Sequence, residues 1–108
     1  MDGVGSTLTV ANDVNVGSQG TGTLTVQNGG TVAANLVLVN SNISGSVPST
    51  LTVTGAGSTL TGSVFNQFGT ATINILNGGK VTSAPGSSAG LGILNPSNGP
   101  ATVDGAGS

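Results

Sequence analysis

The sequence predicts an all-β chain wound as a right-handed, single-stranded parallel β-helix of about four coils, three short strands to a coil. Three observations predict it: a long internal repeat, a sharp glycine corner at roughly half that period, and period-two alternation between the corners. Gly20–Ala34 reads GTGTLTVQNGGTVAA and Gly69–Ser83 reads GTATINILNGGKVTS, an offset of 49. DGVGSTLTV at 2–10 returns as TGAGSTLTG at 54–62, an offset of 52, and DGAGS at 104–108 starts the phase again. Such self-similarity is the signature of a stacked repeat. The chain therefore reads as one segment, 1–108, with copies over 2–53 and 54–103 and a third beginning at 104–108.

The corners come first. Asp2-Gly3, Asn28-Gly29, Thr54-Gly55, Asn77-Gly78 and Asp104-Gly105 recur with glycines 26, 26, 23 and 27 apart, and a second glycine follows each. Gly and Asn accept positive φ at little cost, so these positions mark sharp bends. One bend every ~25 residues is what a coil needs if each lap returns to the same place; a hairpin sandwich predicts turns every 8–12 residues and no such lap.

Between corners, TLTV at 7–10, 23–26 and 50–53, VNV at 14–16, TINI at 72–75 and ATV at 101–103 alternate with period two. Alternation among β-branched residues is the strand signal. LVLV at 36–39 and LGIL at 91–94 are continuously apolar, as strands buried on both faces would be. The predicted strands are 6–10, 13–16 and 23–28 in coil one, 31–34, 36–40 and 50–54 in coil two, 58–61, 63–68 and 70–77 in coil three, and 80–83, 91–95 and 101–104 in coil four. The loop before each third strand varies most: 17–22, 41–49, Gly69 alone, and 96–100. Variable loops on a constant frame are normal, because loops tolerate insertion.

The composition suits stacked coils. Only Asp2, Asp13, Lys80 and Asp104 are charged, 4% of the chain, against roughly 25% in an ordinary soluble domain. Mean hydropathy is +0.29 and net charge −2, so the disordered class, with low hydropathy and high charge, is not indicated. Phe65 and Phe68 are the only aromatics, leaving Val, Leu, Ile and Ala to fill a narrow interior. Identical positions stack from coil to coil, so Asn and Thr form ladders and like charges would repel. Open sheet edges template further pairing, and no capping segment is evident. End-to-end stacking of copies, as dimers or fibres, is the expected partnership.

Function classes fall away in turn. Nucleic-acid binding needs a basic stripe, and the chain has one Lys and no Arg. With no Cys and no His, disulfides, thiolate or imidazole metal sites and a Ser-His-Asp arrangement are excluded. No apolar run reaches the ~20 residues that span a bilayer, so membrane insertion of this segment is not expected. Met1 directly followed by Asp-Gly reads as a start placed inside a longer protein, and no signal peptide is evident.

Asp2 and Asp104 stand at corners, where a turn residue bonding its own backbone is the simpler role. Lys80 follows Gly78-Gly79, but Val81 stands where a phosphate loop needs Ser or Thr. Gly17–Gly22 (GSQGTG) lacks the strand-to-helix setting of a dinucleotide site. Asn42-Ile43-Ser44 is a formal N-glycosylation triplet. Thr-x-Thr pairs at 7/9, 23/25, 50/52, 59/61 and 70/72 resemble the ice-binding face of β-helical antifreeze proteins, but they fall on first and third strands rather than on one face of every coil. Thr is also simply a good strand residue. A carbohydrate-binding β-helix would place its site on the loops 41–49 and 84–99, which hold no aromatic platform and no charge. No catalytic, cofactor-binding or metal-ligating residue emerges, and an enzyme is not expected.

GTGTLTVQNGGTV, with the DGxGSTLTV phase before it, resembles the repeat associated with bacterial type V secretion (autotransporter) and PEP-CTERM proteins. The resemblance covers essentially the whole chain as two copies of about 50 residues; the second departs at Ser63–Phe68 and is looser over Ala84–Pro100. It implies a secreted right-handed β-helix on the outside of a Gram-negative cell, outer-membrane-anchored in the parent protein. Display, adhesion and self-association are its usual roles, with a host or matrix receptor as the outside partner. The barrel and signal peptide of such proteins are not in this stretch.

Overall fold

The computed structural model describes residues 1–39, 48–66, 70–82, 91–93 and 101–108. Among these every regular element is a strand. β1 is Thr7–Thr9, β2 Asp13–Val16, β3 Thr23–Gln27, β4 Thr31–Val39 and β5 Ser49–Thr54. β6 is Thr59–Asn66, β7 Ala71–Leu76, β8 Lys80–Thr82, β9 Leu91–Ile93 and β10 Ala101–Asp104. All pairings are parallel. They form two sheets: β1-β4-β6-β8, with β2 beside β4 and β9 beside β6, and β10-β7-β5-β3.

The registers arrange the chain in rows. Thr7, Thr31, Thr59 and Lys80 lie side by side. So do Val14, Val37, Val64 and Leu91, and Thr25, Thr52, Asn74 and Thr102. Neighbours in these ranks are 21 to 28 residues apart along the chain. Row one is β1, β2 and β3; row two β4 and β5; row three β6 and β7; row four β8, β9 and β10.

Where three strands per coil are expected, the second and third rows run their first two together. β4 spans 31–39 and β6 spans 59–66 as single strands. The break survives as a register shift between Ala33 and Leu36. Gly62, at φ 144, supplies the bend on β6: a Cβ there would run into the Ala34 carbonyl. A kink of this kind keeps the backbone extended while turning its inward face, so no loop is needed.

Alternation decides what is inside. β5 and β7 both read buried–half-buried over all six positions. Leu51, Val53, Ile73 and Ile75 point inward from one sheet, Val32, Val37, Val39, Leu60 and Val64 from the other. Side chains of both sheets form one aliphatic core. LVLV at 36–39 is therefore not buried on both faces: Val37 and Val39 are inside, while Leu36 and Leu38 are half-buried on the outer face. Both lie on a middle strand, between β2 and β6.

Position within a rank sets the cost of losing a side chain. Leu8, Val32, Leu60 and Val81 share one rank, yet Leu60 is fully buried and Leu8 is 36% exposed at the end of the stack. Leu60→Ala is expected to cost about 2–5 kcal/mol, Leu8→Ala less than about 1 kcal/mol. Urea denaturation of the two variants checks the difference; equal losses would contradict a stacked core.

Candidate functional site

Among the described residues, the richest cluster of polar contacts is the column of corners linking each row to the next. Two kinds of corner alternate. Asp2–Ser6, Thr54–Ser58 and Asp104–Ser108 are five residues long, with glycines at positive φ in second and fourth place (95 and 85, 90 and 82, 96 and 80). Each closes through the serine N–H donating to the first glycine's carbonyl, at 3.1 Å, 3.1 Å and 3.2 Å. Gln27–Gly30 and Leu76–Gly79 are four residues long. Their Asn28-Gly29 and Asn77-Gly78 pairs both have positive φ, and Gly30 and Gly79 N–H donate back to Gln27 and Leu76 at 3.0 Å and 2.9 Å. Two central residues at positive φ is the Asn-Gly pattern of a type I′ turn.

The two kinds interlock. Gly29 N–H donates to Ser58 Oγ at 3.0 Å, and Gly78 N–H to Ser108 Oγ at 3.0 Å. On the other side, Asn28 Nδ2 donates to Asp2 Oδ1 at 2.7 Å and Asn77 Nδ2 to Thr54 Oγ1 at 3.3 Å. A five-residue corner thus offers a side-chain acceptor on its first residue and another on its last, and a four-residue corner supplies a donor to each. Ser58 is fully buried, so its bond with Gly29 satisfies polar groups that would be costly to leave unpaired.

Asp2, Asn28, Thr54, Asn77 and Asp104 do not hold one common position, as the sequence pattern suggests. Asp2 stands opposite Gln27, Thr54 opposite Gln27 and Leu76, and Asp104 opposite Leu76. The Asn residues lie one place further on, because their corners are one residue shorter. The missed signal was present: the second glycine follows as G-x-G at 3, 55 and 105 but as G-G at 29 and 78.

The remaining sequence-derived candidates resolve as packing. Gly78 and Gly79, ahead of Lys80, spend their N–H groups on Ser108 and Leu76, leaving no cradle for phosphate. Gly22 N–H donates to Ser49 Oγ at 3.1 Å, tying the segment 17–22 to the next row. The Thr pairs are split between the two sheets. Thr23, Thr50 and Thr72 form one rank; in the next, Thr25 and Thr52 are followed by Asn74 before Thr102. Thr72 and Asn74, not Thr70 and Thr72, are thus the pair in line with Thr50 and Thr52. The glycosylation triplet at 42–44, most of 41–49 and the segment 84–99 apart from β9 lie outside the described residues.

Carboxylate chemistry finds no partner arrangement in this column. Asp2 and Asp104 are separated by Gln27, Thr54 and Leu76, four strand spacings or about 19 Å. A glycoside-cleaving pair works at roughly 5–9.5 Å. Among the described residues no three His, Cys, Asp or Glu side chains come together as a metal set. Among the described residues no helix is long and apolar enough to cross a membrane.

The Asp2 carboxyl is biased toward its charged form by its neighbours. Hydrogen bonds from Asn28, then from Gln27 Nε2 at 3.1 Å, hold its carboxyl below the ordinary 3.8. The folded value lies below the unfolded one, so the contribution to stability is full above about pH 4 and is lost as pH falls through the folded value. The melting-temperature gap between the native chain and Asp2→Asn is therefore expected to hold steady near neutrality and close on acidification below pH 3.8. A gap independent of pH would contradict the charged bond.

No protein-family model, no curated protein and no solved structure matches the chain.

Proposed function

We propose that the chain is a right-handed parallel β-helix segment that serves as a structural stalk in a secreted bacterial cell-surface protein of the autotransporter kind, acting in adhesion and self-association. One observation carries the reading: three columns of parallel, in-register strands repeat every 21 to 28 residues around one aliphatic core. A chain that returns to the same three columns lays each row on the last, and parallel crossovers strongly prefer the right hand. The corner column fits this, since its bonds run from row to row rather than toward a ligand. The surface-protein assignment is supported by the repeat's resemblance and by the scarcity of charge. Partners are further copies of the chain, with a receptor as an outside contact. The broken Thr rank at Asn74 does not favour an ice-binding face.

A stalk lengthens by rows. Inserting a second copy of residues 54–103 after Val103 adds two rows in phase, and small-angle scattering is expected to show a long axis about 10 Å greater at constant cross-section. A particle that thickens instead, or an insert that stays unfolded by circular dichroism, would overturn the stalk reading.

A further inference from the structure

Asn-Gly occurs three times in the chain, at 28–29, 77–78 and 98–99. The first two form the four-residue corners; the third lies outside the described residues. Asn-Gly is chemically the least durable pair in a polypeptide, because a glycine without Cβ lets its backbone nitrogen reach the asparagine side chain. That nitrogen, having lost its proton to the solvent, attacks Asn Cγ. The Cγ–Nδ2 bond breaks, and Nδ2 leaves as ammonia with a proton from water. Water then opens the cyclic imide at either carbonyl, leaving aspartate or isoaspartate. No reactant besides water is consumed.

Burial does not shield Asn28 or Asn77, since both are exposed. The corner bonds instead draw the two reacting groups apart. Gly29 N–H, the nucleophile, donates to Ser58 Oγ of the following corner at 3.0 Å, while Asn28 Nδ2, the leaving group, donates to Asp2 Oδ1 of the preceding one at 2.7 Å. Asn77 repeats the arrangement. Gly78 N–H donates forward to Ser108 Oγ at 3.0 Å, and Asn77 Nδ2 donates back to Thr54 Oγ1 at 3.3 Å. Both asparagines stand at φ 52, so the two pairs are held alike. The interior corner Thr54–Ser58 touches both of them, at opposite ends of the reaction: Ser58 holds the nucleophile of one, Thr54 the leaving group of the other.

We propose that Asn28 and Asn77 are modification sites, converted through the cyclic imide whenever the corners open, and that the Thr54–Ser58 corner keeps both closed in the folded chain. A folded chain keeps its amides; a chain that lingers unfolded gains carboxylates. The change does not reverse on refolding. A carboxylate at 28 or 77 has no proton to donate where Nδ2 donated, and isoaspartate adds a backbone carbon to a corner only four residues long. The two pairs thus record time spent outside the fold.

The native chain, Ser58→Ala and Thr54→Val are incubated in mildly alkaline buffer with and without urea. Mass mapping of peptic peptides, prepared in acid, reads each asparagine separately by the gain of an acid for an amide. In the native chain Asn28 and Asn77 are expected to convert at least about tenfold more slowly in buffer than in urea. Ser58→Ala is expected to speed Asn28 by roughly two- to tenfold, the worth of one corner bond, and to leave Asn77 at its native rate; Thr54→Val is expected to do the reverse. In urea all three chains are expected to react alike. Native conversion as fast in buffer as in urea overturns the protection. Variants that speed both sites equally, or neither, overturn the guarding roles of Ser58 and Thr54. Ser58 is fully buried; if Ser58→Ala does not fold by circular dichroism, Thr54→Val at a half-buried position decides alone, by the same comparison of Asn77 with Asn28.

Discussion

In-register parallel pairing is the constraint everything else answers to. Each residue on a middle strand has its counterpart from the rows before and after as nearest neighbours, about 4.8 Å away. A side chain must therefore be compatible with a stack of similar side chains. Aliphatic ranks meet this condition inside, as in Leu24–Leu51–Ile73 and Val26–Val53–Ile75. Thr ranks meet it outside, where hydroxyls can bond along the stack; Thr61 and Thr82 do so at 3.3 Å. Each charged residue, by contrast, has an uncharged neighbour in its rank: Asp2 beside Gln27, Asp13 beside Leu36, Lys80 beside Thr59, Asp104 beside Leu76.

The same constraint explains why the sequence repeats at about 50 residues while the rows repeat at about half that. The corner must bend sharply, and a sharp bend leaves backbone N–H groups without ladder partners. A column of identical type I′ corners would present Gly29-type donors to one another. Alternating them with five-residue corners places a serine oxygen opposite each such donor and an Asp or Thr oxygen opposite each Asn amide. The chemical unit is thus a pair of rows, and the two copies seen in the sequence are two such pairs.

Much of this was legible in the residues. The strand positions follow from alternation, because a sheet with one buried face imposes period two with little tolerance. The register followed from the 49- and 52-residue echoes, because residues repeated two rows apart fall into one column: Leu24 and Ile73 share a rank, as do Val26 and Ile75. The errors came where local pattern and stack diverge. Asn28 and Asp2 look alike as X-Gly bends, but one residue's difference in corner length displaces them. LVLV reads as doubly buried because hydrophobicity alone cannot separate a core-facing Val from an outer Leu under its neighbours. The junctions at Ala33–Leu36 and Gly62 read as strand breaks because the alternation slips there, whereas the strands bend without leaving the sheet.

Among the described residues, the separation of the charged side chains has the same origin as the architecture. A catalytic centre needs unlike groups converging within a few ångströms, held by residues that differ from their neighbours. A stack of like on like does the opposite: it spreads one residue type along an axis and separates the exceptions, as it separates Asp2 from Asp104. In the sequence, the departures from the repeat are the variable stretches before the third strands. Of those, 17–22 is drawn back into the frame by the Gly22–Ser49 bond. The described frame is thus two parallel sheets around one aliphatic core. Its corner bonds run from one strand row to the next, as Gly29 to Ser58 and Asn28 to Asp2 do.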